Sequence, residues 1–491
     1  MSREFLINLI FLLFINALVK PVYIFWIDRT VQNVVGQEYG IYFSLLSFSY
    51  LFQIINDFGL QNFNARNISR HRSLIHKYLP GILRLKAILG ILYSAVVLLA
   101  AYLIGYEGDY MVLLFWIVII QLMTSFLLYL RSNIAGLGFY RMDSFLSILD
   151  KLLLIIICGT FFLTPTLRDS FQIEWFLYAQ IGALGCAILV ASLYLLPKVK
   201  LSAHKVKYSF MWLILKQSYP FALIYILMMV YTRIDAVMLE RMLDDGVQES
   251  FTYASAYRLL DAANMITYLF VGLLLPMFSR MLGQKEAIGP LFEVSIKMLT
   301  IVTACIALPV IFQSESIVKW LYVYGNDYSA SILTLLILGF IFISFGQLFG
   351  ALLIANGTVL PLNKIYIGGI IINITSNIIL IPHWKAYGAA LSTLFTEVFV
   401  AISLGLMIYK TFKGLWQWRW VLKILGYSFL TGFAIFTSYQ YLELDWKLHY
   451  FLTLTMCAGL AFVLRMIPSK EMLKVLQINQ KIKSEDPGLD K

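Results

Sequence analysis

Charged residues that lie deep in apolar sequence are the groups of this chain best able to do chemistry. A charge near the centre of a bilayer costs about 2.5 to 3.5 kcal/mol on insertion scales, so it is expected to face a cavity or a partner. Lys20 lies well inside the apolar run 5–27 and is followed by Pro21. Proline removes a backbone donor and is expected to distort the helix there. This combination is typical of a cavity wall.

A second buried pair occurs further along the chain. Arg258 and Asp261 are three residues apart in an apolar run, which places them on one helical face. The sequence leaves open whether they form a structural ion pair or a pair of substrate contacts. Lys151, adjacent to Asp150, offers a similar mixed charge, although neighbouring residues diverge around a helix.

Acidic and amide residues suggest a site for an ion. Glu397 falls near the middle of the predicted span 387–409, so it must be protonated, partnered or exposed to water. Asn373 and Asn377 are four residues apart and share a helical face, where their amide oxygens could help coordinate a hard cation such as sodium. Hydrogen bonds between helices are the alternative interpretation of the two amides.

The composition shows which elements must position these residues. The chain has 491 residues, 60% hydrophobic and 13% charged, with a mean hydropathy of +0.80, outside the range of water-soluble domains. About 14 spans of about 21 residues would leave connections too short for a soluble domain. This predicts an all-α polytopic membrane protein with about 14 transmembrane helices. No phosphate-binding loop and no hydrolase or transferase constellation occurs, so we expect neither an enzyme nor a cofactor.

Basic residues are distributed unevenly between alternate loops. With the N-terminus in the cytoplasm, 23 of the 38 basic residues fall in inner segments and seven in outer loops. This bias predicts that both termini are cytoplasmic, and it explains the net charge of +11 by topology and contact with membrane lipids rather than by nucleic acid. Four further basic residues lie close enough to predicted cytoplasmic ends to reach the interface: Arg84, Lys86, Lys216 and Lys364.

Two similar segments indicate an internal repeat. Ile27-Asp28 and Ile234-Asp235 each precede a tyrosine-rich helix start, at Tyr39 and Tyr253. Repeated halves around a central site are common in secondary transporters. We therefore predict two six-helix lobes around a central cavity, then two appended helices and a cytoplasmic tail, with boundaries at 1–210, 211–412, 413–468 and 469–491.

The order of several short motifs resembles that of a known family. The motifs in the first half are Gly36-Gln37-Glu38-Tyr39-Gly40-Ile41-Tyr42, Asn56-Asp57-Phe58-Gly59-Leu60 and Asn64-Ala65-Arg66-Asn67-Ile68. Those in the second half are Arg233-Ile234-Asp235, Leu275-Pro276, Tyr324-Gly325-Asn326-Asp327-Tyr328, Leu380-Ile381-Pro382, Gly388-Ala389-Ala390 and Thr396-Glu397. Together they resemble the Wzx-like polysaccharide transporters, or O-antigen flippases, of the multidrug/oligosaccharidyl-lipid/polysaccharide superfamily.

This resemblance implies transport without covalent chemistry. The expected substrate is a polyprenyl-diphosphate-linked oligosaccharide, a repeat unit of O-antigen, capsule or exopolysaccharide, moved from the inner to the outer leaflet of a bacterial cytoplasmic membrane by alternating access. Glycosyltransferases and a polysaccharide polymerase would be pathway partners. The substrate-binding residues under this hypothesis are Lys20, Lys151, Arg258 and Asp261, with Asn16, Asn264 and Tyr268 meeting the sugars.

The resemblance also implies a coupling site for sodium or a proton among the seventh, eleventh and twelfth predicted helices. The residues that map there are Asp235, Asn373, Asn377 and Glu397. One position departs from the family pattern: Lys385 stands where a glycine usually precedes the Gly388-Ala389-Ala390 run. The conformation of this outer turn is therefore open.

Two other functions compete with the flippase hypothesis. An ion-coupled antiporter of drugs or other small molecules shares the superfamily architecture, and an acidic rather than a cationic cavity would favour it. A polysaccharide polymerase or ligase would carry a long outer loop with catalytic residues. The longest predicted outer connections have only about 20 residues, which argues against that class.

Overall fold

The computed structural model describes residues 16, 18–61, 64, 68, 75–199, 208–415, 418–464 and 466. This part of the chain is helical with short connections, which confirms the predicted all-α class. A π-helical turn, Tyr23–Asp28, comes first, and a 3-10 turn, Leu196–Lys198, follows the eighth α-helix. The α-helices are α1 Arg29–Val35, α2 Glu38–Leu51, α3 Gln53–Asp57, α4 Ile75–Ile104, α5 Asp109–Gly136, α6 Tyr140–Leu163, α7 Pro165–Asp169, α8 Ile173–Leu195, α9 Tyr208–Met242, α10 Gly246–Gly283, α11 Gly289–Phe312, α12 Ser314–Leu321, α13 Asp327–Ala355, α14 Val359–Thr411, α15 Trp418–Tyr441 and α16 Trp446–Val463.

Eleven helices of the described residues are long and apolar enough to cross a membrane. One of them, α14, contains a non-helical residue at Lys385 and joins two predicted spans. The predicted span 39–62 corresponds to α2 and α3, which are separated by a break at Phe52. The predicted span 5–27 lies mostly outside the described residues. The chain is thus a polytopic membrane protein, and the count of 14 spans stays a prediction.

The helix that carries Lys20 is irregular just after Pro21, as the sequence predicts. Residues Tyr23–Asp28 form a π-helical turn, in which the N–H of Arg29 bonds to the carbonyl of Ile24. Such turns insert one residue into an α-helix and occur frequently at functional sites. The distortion therefore begins three residues after Lys20, a residue of the candidate site described below, and ends at Asp28.

The helices pack into two compact units. The first comprises Met1–Ser255 and Ile374–Ala389, and the second comprises Ala256–Asn373 and Ala390–Lys491. The first unit therefore contains α9, the start of α10 and the middle of α14 in addition to the helices before them. The lobe boundaries expected from the sequence stay a prediction.

In the first unit, α5 packs against α8, α6, α4 and α2, and α9 packs along α2. Gly40 brings α2 into backbone contact with the start of α10. A Cβ atom placed on Gly40 would lie 2.5 Å from the carbonyl oxygen of Val247 and 2.8 Å from the amide nitrogen of Phe251. Both neighbours are main-chain atoms, so a side chain at position 40 requires the two helices to separate.

We expect Gly40→Ala to lower the free energy of unfolding by about 1 to 3 kcal/mol, the usual cost of overpacking a tight contact. Gly182→Ala in α8 is the matched control, because a Cβ there meets no atom within 4 Å. This control should be neutral or slightly stabilising, since alanine favours a helix. Thermal unfolding of the purified variants measures both effects, and equal stability of the two variants would contradict the contact.

In the second unit, α11 packs against α13 and α16, and α15 packs against α16. The buried Tyr427 on α15 donates a hydrogen bond to the carbonyl of Cys457 on α16 at 3.0 Å. His449 stacks on Tyr439 with ring centroids 3.9 Å apart. These contacts fix the last two helices to each other, and α16 fixes them to α11.

Candidate functional site

Three basic side chains gather in the first unit. The charges that act on Lys20 are those of Arg131, Lys151 and Asp150. Arg131 Nε donates to Asp143 Oδ1 at 2.8 Å, and Lys151 Nζ lies 3.3 Å from Asp150 Oδ2. Three basic groups against two acidic ones leave this group of side chains with a net positive charge. We call Lys20, Arg131 and Lys151 the basic cluster.

The structure adds Arg131 to the residues predicted from sequence, and it connects Asn16 to α6, the helix that carries Lys151. Arg131 directly follows an apolar run and is one of the 23 basic residues counted in inner segments, so the sequence did not mark it as a site residue. Asn16, predicted to meet sugars, is buried and donates from Nδ2 to Ser147 Oγ at 2.9 Å. The Lys151 ammonium lies 4.8 Å from the centroid of the Tyr23 ring, a cation–π distance. Lys151 is thus joined to the π-helical turn beside Lys20.

The predicted Arg258–Asp261 pair is present in the second unit. Arg258 Nη1 lies 3.7 Å from Asp261 Oδ2, and both side chains are about four-fifths buried. Asn264 follows on the same helix and is 7% exposed, whereas Tyr268 is 49% exposed. The 3.7 Å separation is that of an ion pair and is long for a direct hydrogen bond.

Two residues assigned to the ion site meet in the first unit. Asp235 on α9 is 1% exposed and accepts a hydrogen bond from Asn377 Nδ2 at 2.6 Å. It also accepts one from the Tyr253 hydroxyl on α10 at 3.0 Å. A buried carboxylate that accepts hydrogen bonds from hydroxyl and amide groups can bind a proton or a small cation.

The internal repeat predicted from sequence reappears in this geometry. Asp28 is also 1% exposed, and it accepts from the Tyr39 hydroxyl at 2.8 Å and from Gln32 Nε2 at 3.0 Å. Asp28 and Asp235 therefore each accept a hydrogen bond from a tyrosine of a following helix. The similar segments were visible in the sequence, but they did not mark Asp28 as a site residue.

The other two residues assigned to the ion site lie in the second unit. Glu397 is 3% exposed and lies within electrostatic reach of Tyr366, as does Tyr268. Asn373 is fully buried, and its carbonyl accepts a hydrogen bond from Ser392 at 3.0 Å. The structure thus brings Asp235 and Asn377 together in one unit and places Glu397 beside a tyrosine in the other.

Lys86 does not reach the interface as the sequence suggested. It is 7% exposed, and its ammonium donates to Asp57 Oδ1 at 2.8 Å and to Ser125 Oγ at 2.7 Å. Asn56, next to Asp57, donates to the carbonyl of Gln121 at 3.0 Å. The Asn56-Asp57 motif therefore binds α3 to α4 and α5, a structural role that helix position alone could not reveal.

No group of three or more histidine, cysteine, aspartate or glutamate residues suited to a metal occurs in the described ranges.

Comparison with known proteins defines the family. The family described as "Polysaccharide biosynthesis protein" matches residues 6–282, more than half of the chain. No curated protein matches the sequence. Among solved structures, the chain is similar to the lipid II flippase MurJ in an inward closed conformation, with TM-score 0.66, 16% identity, and coverage of 95% of this chain and 100% of that chain.

Two further solved structures share the fold. A MOP superfamily transporter from Pyrococcus furiosus gives TM-score 0.59 at 14% identity, covering 83% of this chain and 94% of that chain. An inward-facing multidrug resistance MATE family transporter of the same superfamily gives 0.62 at 14% identity, covering 82% and 95%. The names of these three structures are those of a flippase and of two transporters. The chain has the MOP-superfamily transporter fold and belongs to the polysaccharide biosynthesis protein family.

Proposed function

We propose that this protein is a flippase for a polyprenyl-diphosphate-linked oligosaccharide, a repeat unit of O-antigen, capsule or exopolysaccharide. It moves the lipid from the inner to the outer leaflet of a bacterial cytoplasmic membrane by alternating access, with both termini in the cytoplasm. The observation that carries the proposal is the basic cluster among the apolar helices of a polysaccharide biosynthesis protein. The fold likeness to a lipid II flippase supports a lipid-linked substrate.

The physical task explains why such a cluster is useful. A diphosphate with its sugars cannot cross hydrocarbon unaided, because each unpaired polar group loses hydration at a cost of several kcal/mol. Basic side chains can replace water around the phosphates through charge-assisted hydrogen bonds. The polyprenyl chain needs no such replacement and remains in the lipid.

We assign the phosphate contacts to Lys20 and Lys151, with Arg131 beside them. In the second unit, Arg258 is the corresponding basic residue, and Asp261 keeps its charge partly balanced. Tyr268 is half exposed and Asn264 lies one turn before it, so that ring and amide are suited to sugar hydroxyls. Glycosyltransferases and a polymerase are the pathway partners that this activity requires.

We further propose that transport is coupled to sodium or to a proton at Asp235, with Asn377 as its amide partner. Their 2.6 Å contact supports this assignment. Glu397 is the second ion-coupling candidate because it is a buried carboxylate beside Tyr366. Asn373 lies one turn before Asn377 and completes the set.

The buried carboxylates also favour a second candidate, an ion-coupled antiporter of small cationic compounds. Asp235 and Glu397 would then attract the cargo itself. Deletion of the gene separates the two functions. The flippase requires a lipid-linked oligosaccharide to accumulate on the cytoplasmic leaflet and surface polysaccharide to disappear. Unchanged glycolipids together with raised sensitivity to cationic compounds would instead support the antiporter.

Lys20→Ala and Arg258→Ala should each reduce surface polysaccharide by about tenfold at unchanged protein level. Each removes one charged contact to phosphate, worth about 1.5 to 3 kcal/mol, and 1.4 kcal/mol corresponds to tenfold. Surface polysaccharide in a complemented deletion strain is the measurement.

Lys198→Ala is the control for this pair. Lys198 lies in an exposed turn after α8, and its ammonium rests 3.7 Å from the Tyr194 ring centroid. Export should be unchanged in this variant and largely retained in Lys20→Arg. Wild-type export in both alanine variants would reject the two assignments.

A further inference from the structure

Lys385 holds a backbone conformation that ordinarily belongs to glycine. It divides α14 into two helices with φ +49° and ψ −131°. These angles are those of the first central residue of a type II′ turn, the mirror image of type II. A residue with a side chain pays about 1 to 3 kcal/mol to remain in such a sparsely populated region.

The Lys385 side chain reaches the turn between α9 and α10. Its ammonium forms an ion pair with Asp245 and lies 3.8 Å from Glu249 Oε1. The other oxygen of Glu249 accepts a hydrogen bond from the backbone N–H of Ala386 at 3.2 Å. The break in α14 is therefore tied to the α9–α10 turn by one side chain and by one main-chain group.

The stability that the ion pair contributes does not explain why a lysine stands at position 385. Lys385 and Asp245 are 47% and 45% exposed, and exposed ion pairs contribute about 0 to 1 kcal/mol. That is less than the backbone strain at Lys385, so glycine at this position would give a more stable turn. We therefore attribute the benefit of a lysine to the position in which it holds α14.

The same two segments meet a second time at the buried carboxylate. Asn377 lies on the first half of α14, about 12 Å from Lys385 along the helix axis, and it donates to Asp235 on α9 at 2.6 Å. The segment from Asn377 to Lys385 is thus attached at both ends to the segment from Asp235 to Glu249. Loss of the Lys385 ion pair would allow this part of α14 to tilt about the contact between Asn377 and Asp235.

We propose that Lys385 is a positioning residue for the ion site: its bond to Asp245 and Glu249 holds α14 against the end of α9, and so keeps Asn377 in register with Asp235. The inference rests on the ion coupling proposed above only for its functional consequence. The geometric part, that Lys385 fixes α14 relative to α9, stands on the contacts alone.

The geometric part is tested with nitroxide labels on the exposed positions Met242 and His383, in a full-length chain whose four cysteines are replaced by alanine. Pulsed dipolar spectroscopy should give one narrow distance for the parent chain and for Lys385→Arg. Lys385→Ala and Lys385→Gly should both broaden it or add a longer distance. Lys385→Gly should be at least as stable thermally as the parent, which separates loss of position from misfolding.

Ion affinity tests the consequence. Sodium and pH titrations of thermal stability should show about tenfold weaker ion binding in Lys385→Ala and Lys385→Gly, with recovery in the swap Lys385→Asp/Asp245→Lys. Lys319→Ala is the matched control, because Lys319 is also 47% exposed and also pairs with two carboxylates, Glu315 and Asp327. It should alter neither readout.

The outcomes are distinguishable. Unchanged label distances in both Lys385→Ala and Lys385→Gly would overturn the proposal, whatever the ion titrations give. A parent chain that responds to neither sodium nor pH would remove the coupling function while the label distances still decide the role of Lys385. If Lys319→Ala and Lys385→Ala had equal effects, both effects would reflect a general change of surface charge, and the proposal would also be overturned.

Discussion

Replacing Asp235 by asparagine is expected to abolish ion-dependent transport while the fold stays intact. Asparagine has the same shape, and its oxygen can still accept the Tyr253 hydrogen bond of 3.0 Å. What is lost is the negative charge that attracts a proton or a cation. We expect ion affinity to fall by about 100-fold, about 2.7 kcal/mol, in sodium and pH titrations of thermal stability. Surface polysaccharide in the complemented deletion strain should fall with it.

Asp28→Asn is the matched control for Asp235→Asn. Asp28 is equally buried and also accepts from a tyrosine and an amide, so its neutralisation reports the general effect of removing a buried carboxylate. The ion response should survive in Asp28→Asn and in Tyr253→Phe, which keeps the charge of Asp235. An ion response in Asp235→Asn equal to that of the parent chain would contradict the assignment, as would an identical loss in Asp28→Asn.

The spanning helices could be predicted from sequence because lipid leaves few alternatives to a helix for an apolar run. The break at Phe52 within the predicted span 39–62 could not, since neither glycine nor proline adjoins Phe52 and the polar contacts of Asn56 and Asp57 fix the position of α3. The number and order of motifs likewise indicated the family, which the match over residues 6–282 confirms.

The contact partners of the charged residues were harder to predict from sequence than the charged residues themselves. Arg258 with Asp261 followed from helical spacing, because residues three apart share a face. The contacts of Lys86 with Asp57 and of Lys385 with Asp245 join segments distant in sequence, and no periodicity encodes them. The departure at Lys385 from the pattern of the resembled family was visible in the sequence, but only the backbone angles show that the lysine adopts a conformation that favours glycine.

The repeated aspartate–tyrosine contact was visible partly in the sequence and partly in the structure. Ile27-Asp28 and Ile234-Asp235 are short matches that hydropathy alone would not single out. In the structure, each of the two aspartates accepts hydrogen bonds from a tyrosine hydroxyl on a following helix and from an amide. The halves differ in the amide donor, since Gln32 comes from the same helical stretch as Asp28 while Asn377 comes from a distant one. Movement of α14 would therefore act directly on the amide contact of Asp235.

The second large effect is expected at Lys86. Lys86→Met keeps the length of the side chain but leaves the Asp57 carboxylate, whose side chain is only 26% exposed, without its cation. Breaking a buried pair on one side typically costs about 3 to 5 kcal/mol, and the partial exposure of Asp57 places this case at the lower end, about 3 kcal/mol. Thermal or detergent-induced unfolding of the purified protein should show this loss.

A variant that lacks both the Lys86 and the Asp57 charge decides whether the ion pair or the apolar stem of the lysine is responsible for the lost stability. In the double variant Lys86→Met/Asp57→Asn no charge is left buried, and replacing a buried pair by neutral groups is often close to neutral. Most of the stability should therefore return, whereas Ser125→Ala, which removes one hydrogen bond to the ammonium, should cost only about 1 kcal/mol. If the double variant is as unstable as Lys86→Met, the loss comes from packing of the stem between α4 and α5, and the ion pair does not stabilise the joint between α3 and these helices.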